Sequence, residues 1–149
     1  MLSVIDVIKS LSILIQEKFP SYPVIDRDVD ENIPRPSCFI DVSEVRGNNI
    51  TFELVKEEAD YEVFFFAEDR YKGFLELLDM KNQILEYLSE PLALTDDNGN
   101  IVAHVVFNDV NCILDKSDKC LQCTMTSEIV QQRNIKESEY NIEHIEFKM

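Results

Sequence analysis

Residues 61–67, Tyr-Glu-Val-Phe-Phe-Phe-Ala, constrain the fold of this chain more than any other stretch. Their aromatic and β-branched content predicts a strand, and strand side chains alternate between two faces. Tyr61, Val63 and Phe65 therefore share one face, while Phe64 and Phe66 project from the other. Apolar residues on both sides mean that the second face must also be covered at this strand, by a helix or by another chain.

Two strand signals precede it. Residues 37–45 carry Cys38, Ile40 and Val42 on one face, and residues 50–55 carry Ile50, Phe52 and Leu54. Gly47, Asn48 and Asn49 separate them as turn residues, which predicts a three-stranded antiparallel meander. Ahead of it, Val4, Ile5, Ile8, Leu11, Leu14 and Ile15 recur at helical spacing, with Ser3 as cap and Asp6 as first-turn acid, in a helix ending near Phe19-Pro20. Residues 22–36 hold three prolines and an acidic cluster, so an extended arm is expected, with Val24-Ile25-Asp26 as a short edge strand. After Asp69, set as an N-cap, Tyr71, Phe74, Leu75, Leu78, Ile84, Leu85 and Leu88 predict a longer second helix that Pro91 stops.

Residues 92–94 and 101–107 then flank Asp96-Asp97-Asn98-Gly99-Asn100, whose Asn-Gly pair signals a hairpin. Strands at 110–114 and 121–129 follow, around a polar turn at 115–118; residues 131–149 read as a tail or a late strand. The chain is thus expected to be a single α+β domain over 1–149, a mostly antiparallel sheet of meander and hairpin strands packed by an N-terminal helix and a longer central one. At 149 residues it is long enough to remove about two-thirds of its unfolded surface from water.

The formal charge of -15, from 29 acidic against 14 basic residues, excludes docking on nucleic-acid phosphates or an anionic membrane, both of which need clustered Lys and Arg. No apolar run approaches the roughly 20 residues that span a bilayer, and the opening residues lack a basic n-region and cleavage site, so a cytoplasmic product is expected. Cys38, Cys112, Cys120 and Cys123 sit among strand-forming residues and read as buried, reduced thiols.

Sites for chemistry are sparse. Gly47, Gly73 and Gly99 are too few and too scattered for a phosphate-cradling loop. Cys120 and Cys123 share a strand, where residues three apart point to opposite faces and do not chelate one ion. Asp26-x-Asp28-x-Asp30 begins like a calcium loop but has Glu31 where Gly is needed and Ser37 where a bidentate Glu is needed. His104, in an apolar strand, is expected in the core, and His144 lies in a charged tail without a Ser or Cys in an elbow-like setting. These readings lead to no enzyme, no cofactor and no metal. Partner contacts are expected at two hairpin tips, Arg46, Gly47, Asn48 and Asn49 in one and Asp96, Asp97, Asn98 and their neighbours in the other, and at Phe64 and Phe66.

The wording of Phe19-Pro20-Ser21-Tyr22-Pro23-Val24, of Ile33-Pro34-Arg35-Pro36-Ser37-Cys38-Phe39-Ile40 and of the aromatic strand at 61–66 resembles the tail terminators of phages and phage-tail-like bacteriocins of Gram-positive bacteria. The resemblance covers roughly residues 1–129 and carries no catalytic signature. It implies a virion component: a homo-oligomeric ring, expected as a hexamer, that caps the tail tube protein, stops its polymerisation and offers a face to the sheath or head-tail connector. Acidic side chains lining such a ring would repel phosphates and let DNA slide. The alternatives are another neck or head-completion protein of the same particle, or a monomeric cytoplasmic adaptor domain.

Overall fold

A computed structural model of the chain describes residues 2–25, 34–69, 73–115 and 120–132. Helix α1 (Val4–Lys18) begins at a capping box: the Ser3 hydroxyl accepts the Ile5 N–H, and Asp6 accepts the Ser3 N–H at 2.8 Å. Glu57 accepts the Val4 N–H at 3.1 Å, and Gln131 bonds both backbone groups of Leu2, so the helix start is tied to the sheet. Val7, Leu11 and Ile15, at spacings of four, form its buried stripe.

The remaining elements are β1 (Val24–Ile25), β2 (Ser37–Asn49), β3 (Leu54–Phe66), α2 (Phe74–Leu88), β4 (Leu92–Thr95), β5 (Ile101–Val105), β6 (Phe107–Asp115) and β7 (Cys120–Gln132). Five strands form one sheet in the order β1-β2-β3-β7-β6, antiparallel except for the β1–β2 pair, and β4–β5 is a separate hairpin. The architecture is α+β, two helices with a mostly antiparallel sheet, as the patterning predicts. The short edge strand at Val24 and Ile25 is also present.

The meander differs. The two strands expected at 50–55 and 61–67 are one strand, β3, and the first strand runs on through Asn49, so the turn falls at residues 50–53 and β7, not a meander strand, is β3's second neighbour. Gly47, Asn48 and Asn49 are ladder residues opposite Glu57, Lys56 and Val55. The physical reason is that the charged run 56–60 keeps the alternation: Lys56, Glu58 and Asp60 meet side-chain partners on one face while Ala59 is buried on the other. Opposite-charge pairs across neighbouring strands support a charged stretch of strand.

Helix α2 departs from its expected face. It matches α1 at 15 residues and does not exceed it; Gly73 is its N-cap, with the Asp69 carbonyl accepting the Gly73 N–H at 2.9 Å. The stripe on the sheet is Leu77, Met80, Ile84 and Leu88, whereas Leu75 is 74% exposed and Leu78 38%. Leu75 and Leu78 belong to a stripe rotated away from the core. The Asp96–Asn100 hairpin forms as expected: Asp96 accepts the N–H groups of Asn98 and Asn100 through its side chain, and Gly99 takes φ +83°. His104 is exposed on β5 and not in the core, because the buried positions of that hairpin are Leu92, Leu94 and Val105.

Under the helices the inner sheet face is built in cross-strand rows: Cys38–Phe65–Leu121–Leu114, then Ile40–Val63–Cys123–Cys112. Phe65 meets Phe19 and Tyr22 edge to face at 5.7 and 6.0 Å. The void left among Leu11, Phe19, Phe65, Ile84 and Met125 is only about 20 Å³ and wholly apolar, room for one water with no partner to hold it.

Candidate functional site

Strand alternation places Phe39, Phe64 and Phe66 on the face turned away from the helices. Phe39 stacks on Phe64 and Phe64 on Phe66, each pair 6.3 Å between centroids, and the Arg35 guanidinium sits 5.5 Å from the Phe66 ring. Across the strands, Phe39, Phe64, Gln122 and Ile113 stand in one register row, with Ile113 55% exposed. Phe66 is buried, beneath Arg35 and beside Ser37, whose hydroxyl is buried without a hydrogen-bond partner; Phe64 is partly exposed.

Further along the same face the character inverts. Arg46 holds Asp60 through two bonds of 2.8 and 3.2 Å, with Glu44 at 3.0 Å and Glu58 at 3.3 Å; Lys56 pairs with Glu58 at 2.8 Å. Donation from Arg46, helped by the Thr126 hydroxyl at 2.8 Å, holds the Asp60 carboxyl below its ordinary range. Lys56, then Arg46, does the same for Glu58. Asp41, Glu62 and Glu128 bring the carboxylates on this half to six against two cations, so it is a net acidic surface.

A β-bulge makes this arrangement. Register passes from Val42–Tyr61 to Glu44–Asp60, leaving Ser43 unpaired. Without it, Glu44 and Arg46 would follow Cys38, Ile40 and Val42 onto the helix-covered face. The extra residue turns them to the outer face and into reach of Asp60.

Of the expected contact residues, Phe64, Phe66 and Arg46 are thus brought onto one face, Gly47, Asn48 and Asn49 lie in the ladder at its far end, and Asp96, Asp97 and Asn98 form an exposed tip on the separate hairpin. Residues 50–53 escaped sequence reading: this is the true tip, it presents Ile50 at 50% and Phe52 at 54% exposure, and the Thr51 hydroxyl closes it by accepting the Glu53 and Leu54 N–H groups. The Thr51 turn was the available signal. Cys120 and Cys123 face opposite sides of β7, and among the described residues no group of three or more His, Cys, Asp or Glu is placed to hold a metal ion. The calcium-like run at 26–30, the helix residue Tyr71, most of the 115–118 turn and the stretch after Gln132 lie outside the described residues. No helix among the described residues is long and apolar enough to cross a membrane.

The fold defines a small α+β domain whose sheet is covered by its own helices on one face and bears an aromatic-to-acidic gradient on the other. Residues 6–139 match the model of a phage tail terminator protein family, and the chain belongs to that family. It is by that membership a virion-associated component of a phage tail. No curated protein matches the chain.

Proposed function

We propose that this protein ends the phage tail by forming a ring of identical subunits, six in number, on the last ring of the tube, where it stops polymerisation and presents a face to the sheath or head-tail connector. The family match over residues 6–139 is the observation that carries this reading. The chemistry is adhesive, without catalysis or a cofactor. The Phe39–Phe64 stack, with Ile113 beyond Gln122 in the same row, supplies apolar contact for a neighbouring chain, and the acidic half of the same face supplies selectivity, since a like-charged wrong partner is repelled there.

Termination follows from symmetry. Tube subunits stack through heterologous faces, an arrangement with no intrinsic end. A terminator matches the growing face on one side and lacks the tube's own docking surface on the other. An in-frame deletion followed by electron microscopy tests this: tails of excessive, variable length are expected. Tails of normal length that fail to join a head would instead indicate a neck protein, and unaltered infectious particles would refute a tail role.

A further inference from the structure

Cys112 on β6 and Cys123 on β7 are direct register partners, and their sulfurs lie 3.0 Å apart. Both are free thiols, buried against the helices. Directly opposed residues of an antiparallel pair have Cα atoms about 4.5–5.5 Å apart, inside the range of about 4.4–6.8 Å that a disulfide spans. Closing the bond to about 2.05 Å takes roughly 1 Å of sulfur movement and no change of register.

We propose that Cys112 and Cys123 form an oxidative modification site, converted by a small-molecule disulfide such as oxidised glutathione into a cross-strand disulfide within the folded chain. The Cys112 thiolate attacks one sulfur of the reagent, whose S–S bond breaks and releases one thiol. The Cys123 thiolate then attacks the Cys112 sulfur of the mixed disulfide and expels the second thiol. Two protein thiols and one reagent disulfide thus become one protein disulfide and two reagent thiols, so electrons and protons balance. Cys112 attacks first because β6 is an edge strand and Cys112 keeps slight exposure, whereas Cys123 has none and β7 is flanked on both sides. A hydrogen bond with Cys123 favours the Cys112 thiolate against the opposing effect of burial, with a smaller contribution from the charge of Lys81, while that hydrogen bond and burial push Cys123 up.

The other two cysteines are poorly placed to compete. Cys38 on β2 is separated from β7 by the whole of β3, roughly 9–10 Å at ordinary strand spacing. Cys120 faces the opposite side of β7, in the row of Phe66. The bond would fasten the edge strand β6 to the sheet interior, and the inference rests on strand register, independent of the tail role.

The experiment treats the full-length protein with oxidised glutathione under native conditions, quenches with an alkylating reagent in denaturant, and maps peptides without reduction. Expected are loss of two of the four thiols, a mass lower by two hydrogen atoms before alkylation, a linked peptide joining Cys112 to Cys123, an unchanged far-ultraviolet circular dichroism spectrum, a higher Tm, and reversal by dithiothreitol. Four thiols retained, a stable glutathione adduct without closure, a bond to Cys38 or Cys120, or a bond formed only as the dichroism is lost would each overturn the proposal. Because the mapping uses the wild-type chain, it does not depend on whether Cys112→Ser or Cys123→Ser folds.

Discussion

Phe64 and Phe65 are adjacent, identical in type and on one strand, yet they face opposite sides of the sheet, so truncating each separates fold from assembly. Phe65 is 1% exposed and packs edge to face on Phe19 and Tyr22 under both helices. Phe65→Ala removes that burial and opens a cavity in a core whose existing void is only about 20 Å³, a change that costs about 3–5 kcal/mol. For a domain of this length that lowers Tm by roughly 6–20 °C. Phe64 is partly exposed and has two stacked ring neighbours, each worth about 0.5–1.5 kcal/mol, so Phe64→Ala costs about 1–3 kcal/mol and leaves the chain folded. Urea and thermal melts of the two purified variants measure the stabilities, and complementation of a deletion strain, scored as the fraction of tails of normal length, measures assembly. Phe65→Ala is expected to fail through low folded yield and Phe64→Ala through poor assembly at near-normal yield. Equal stability losses, or full length control by Phe64→Ala, would refute the division of the sheet into a core face and a contact face.

Other outcomes follow from local geometry. Ser3→Ala removes the α1 cap and is expected to cost about 1 kcal/mol in urea melts. Gly99→Ala meets no atom within 4 Å but must adopt φ +83°, so a loss of about 1 kcal/mol is expected despite the open space. Asp60 and Glu58 titrate lower in the folded chain than in the unfolded one; the unfolded chain binds protons more tightly, and the stabilisation, complete above the ordinary carboxylate range, is lost as pH falls through it toward the folded values. Arg46→Met should therefore flatten the acid limb of a Tm-against-pH curve, and an unchanged limb would contradict the assigned network. Arg46→Glu sets a carboxylate beside Glu44, Glu58 and Asp60 and should lower Tm at low salt, with recovery as salt screens the repulsion.

Periodicity made much of this molecule legible. The capped first helix, the aromatic strand with two apolar faces, the Asn-Gly hairpin and the α+β class all follow from spacing and turn chemistry, and the local wording around Phe19-Pro20 and Pro36-Ser37-Cys38 pointed to the family. What stayed hidden depends on contacts across the chain. The bulge at Ser43 is set across the strands, where Glu44 and not Ser43 pairs with Asp60, and leaves no local pattern, so the sequence alone puts the turn at Gly47-Asn48-Asn49 and Arg46 at a tip in place of a carboxylate cluster. Spacing alone groups Leu75 and Leu78 with Ile84 and Leu88 because several apolar residues of α2 occupy overlapping faces; the sheet beneath keeps Ile84 and Leu88 and selects Leu77 and Met80 in place of Leu75 and Leu78. Pairing of Cys112 with Cys123 is equally a product of β6–β7 register.

Adding the purified protein to polymerising tube subunits and measuring tube lengths by electron microscopy tests the proposed capping most directly. Growth is expected to stop at sub-stoichiometric amounts, with this protein labelled at one tube end, and Phe64→Ala is expected to lose the effect while remaining folded. Tubes that lengthen as before, or that carry the protein along their sides and not at an end, would contradict it.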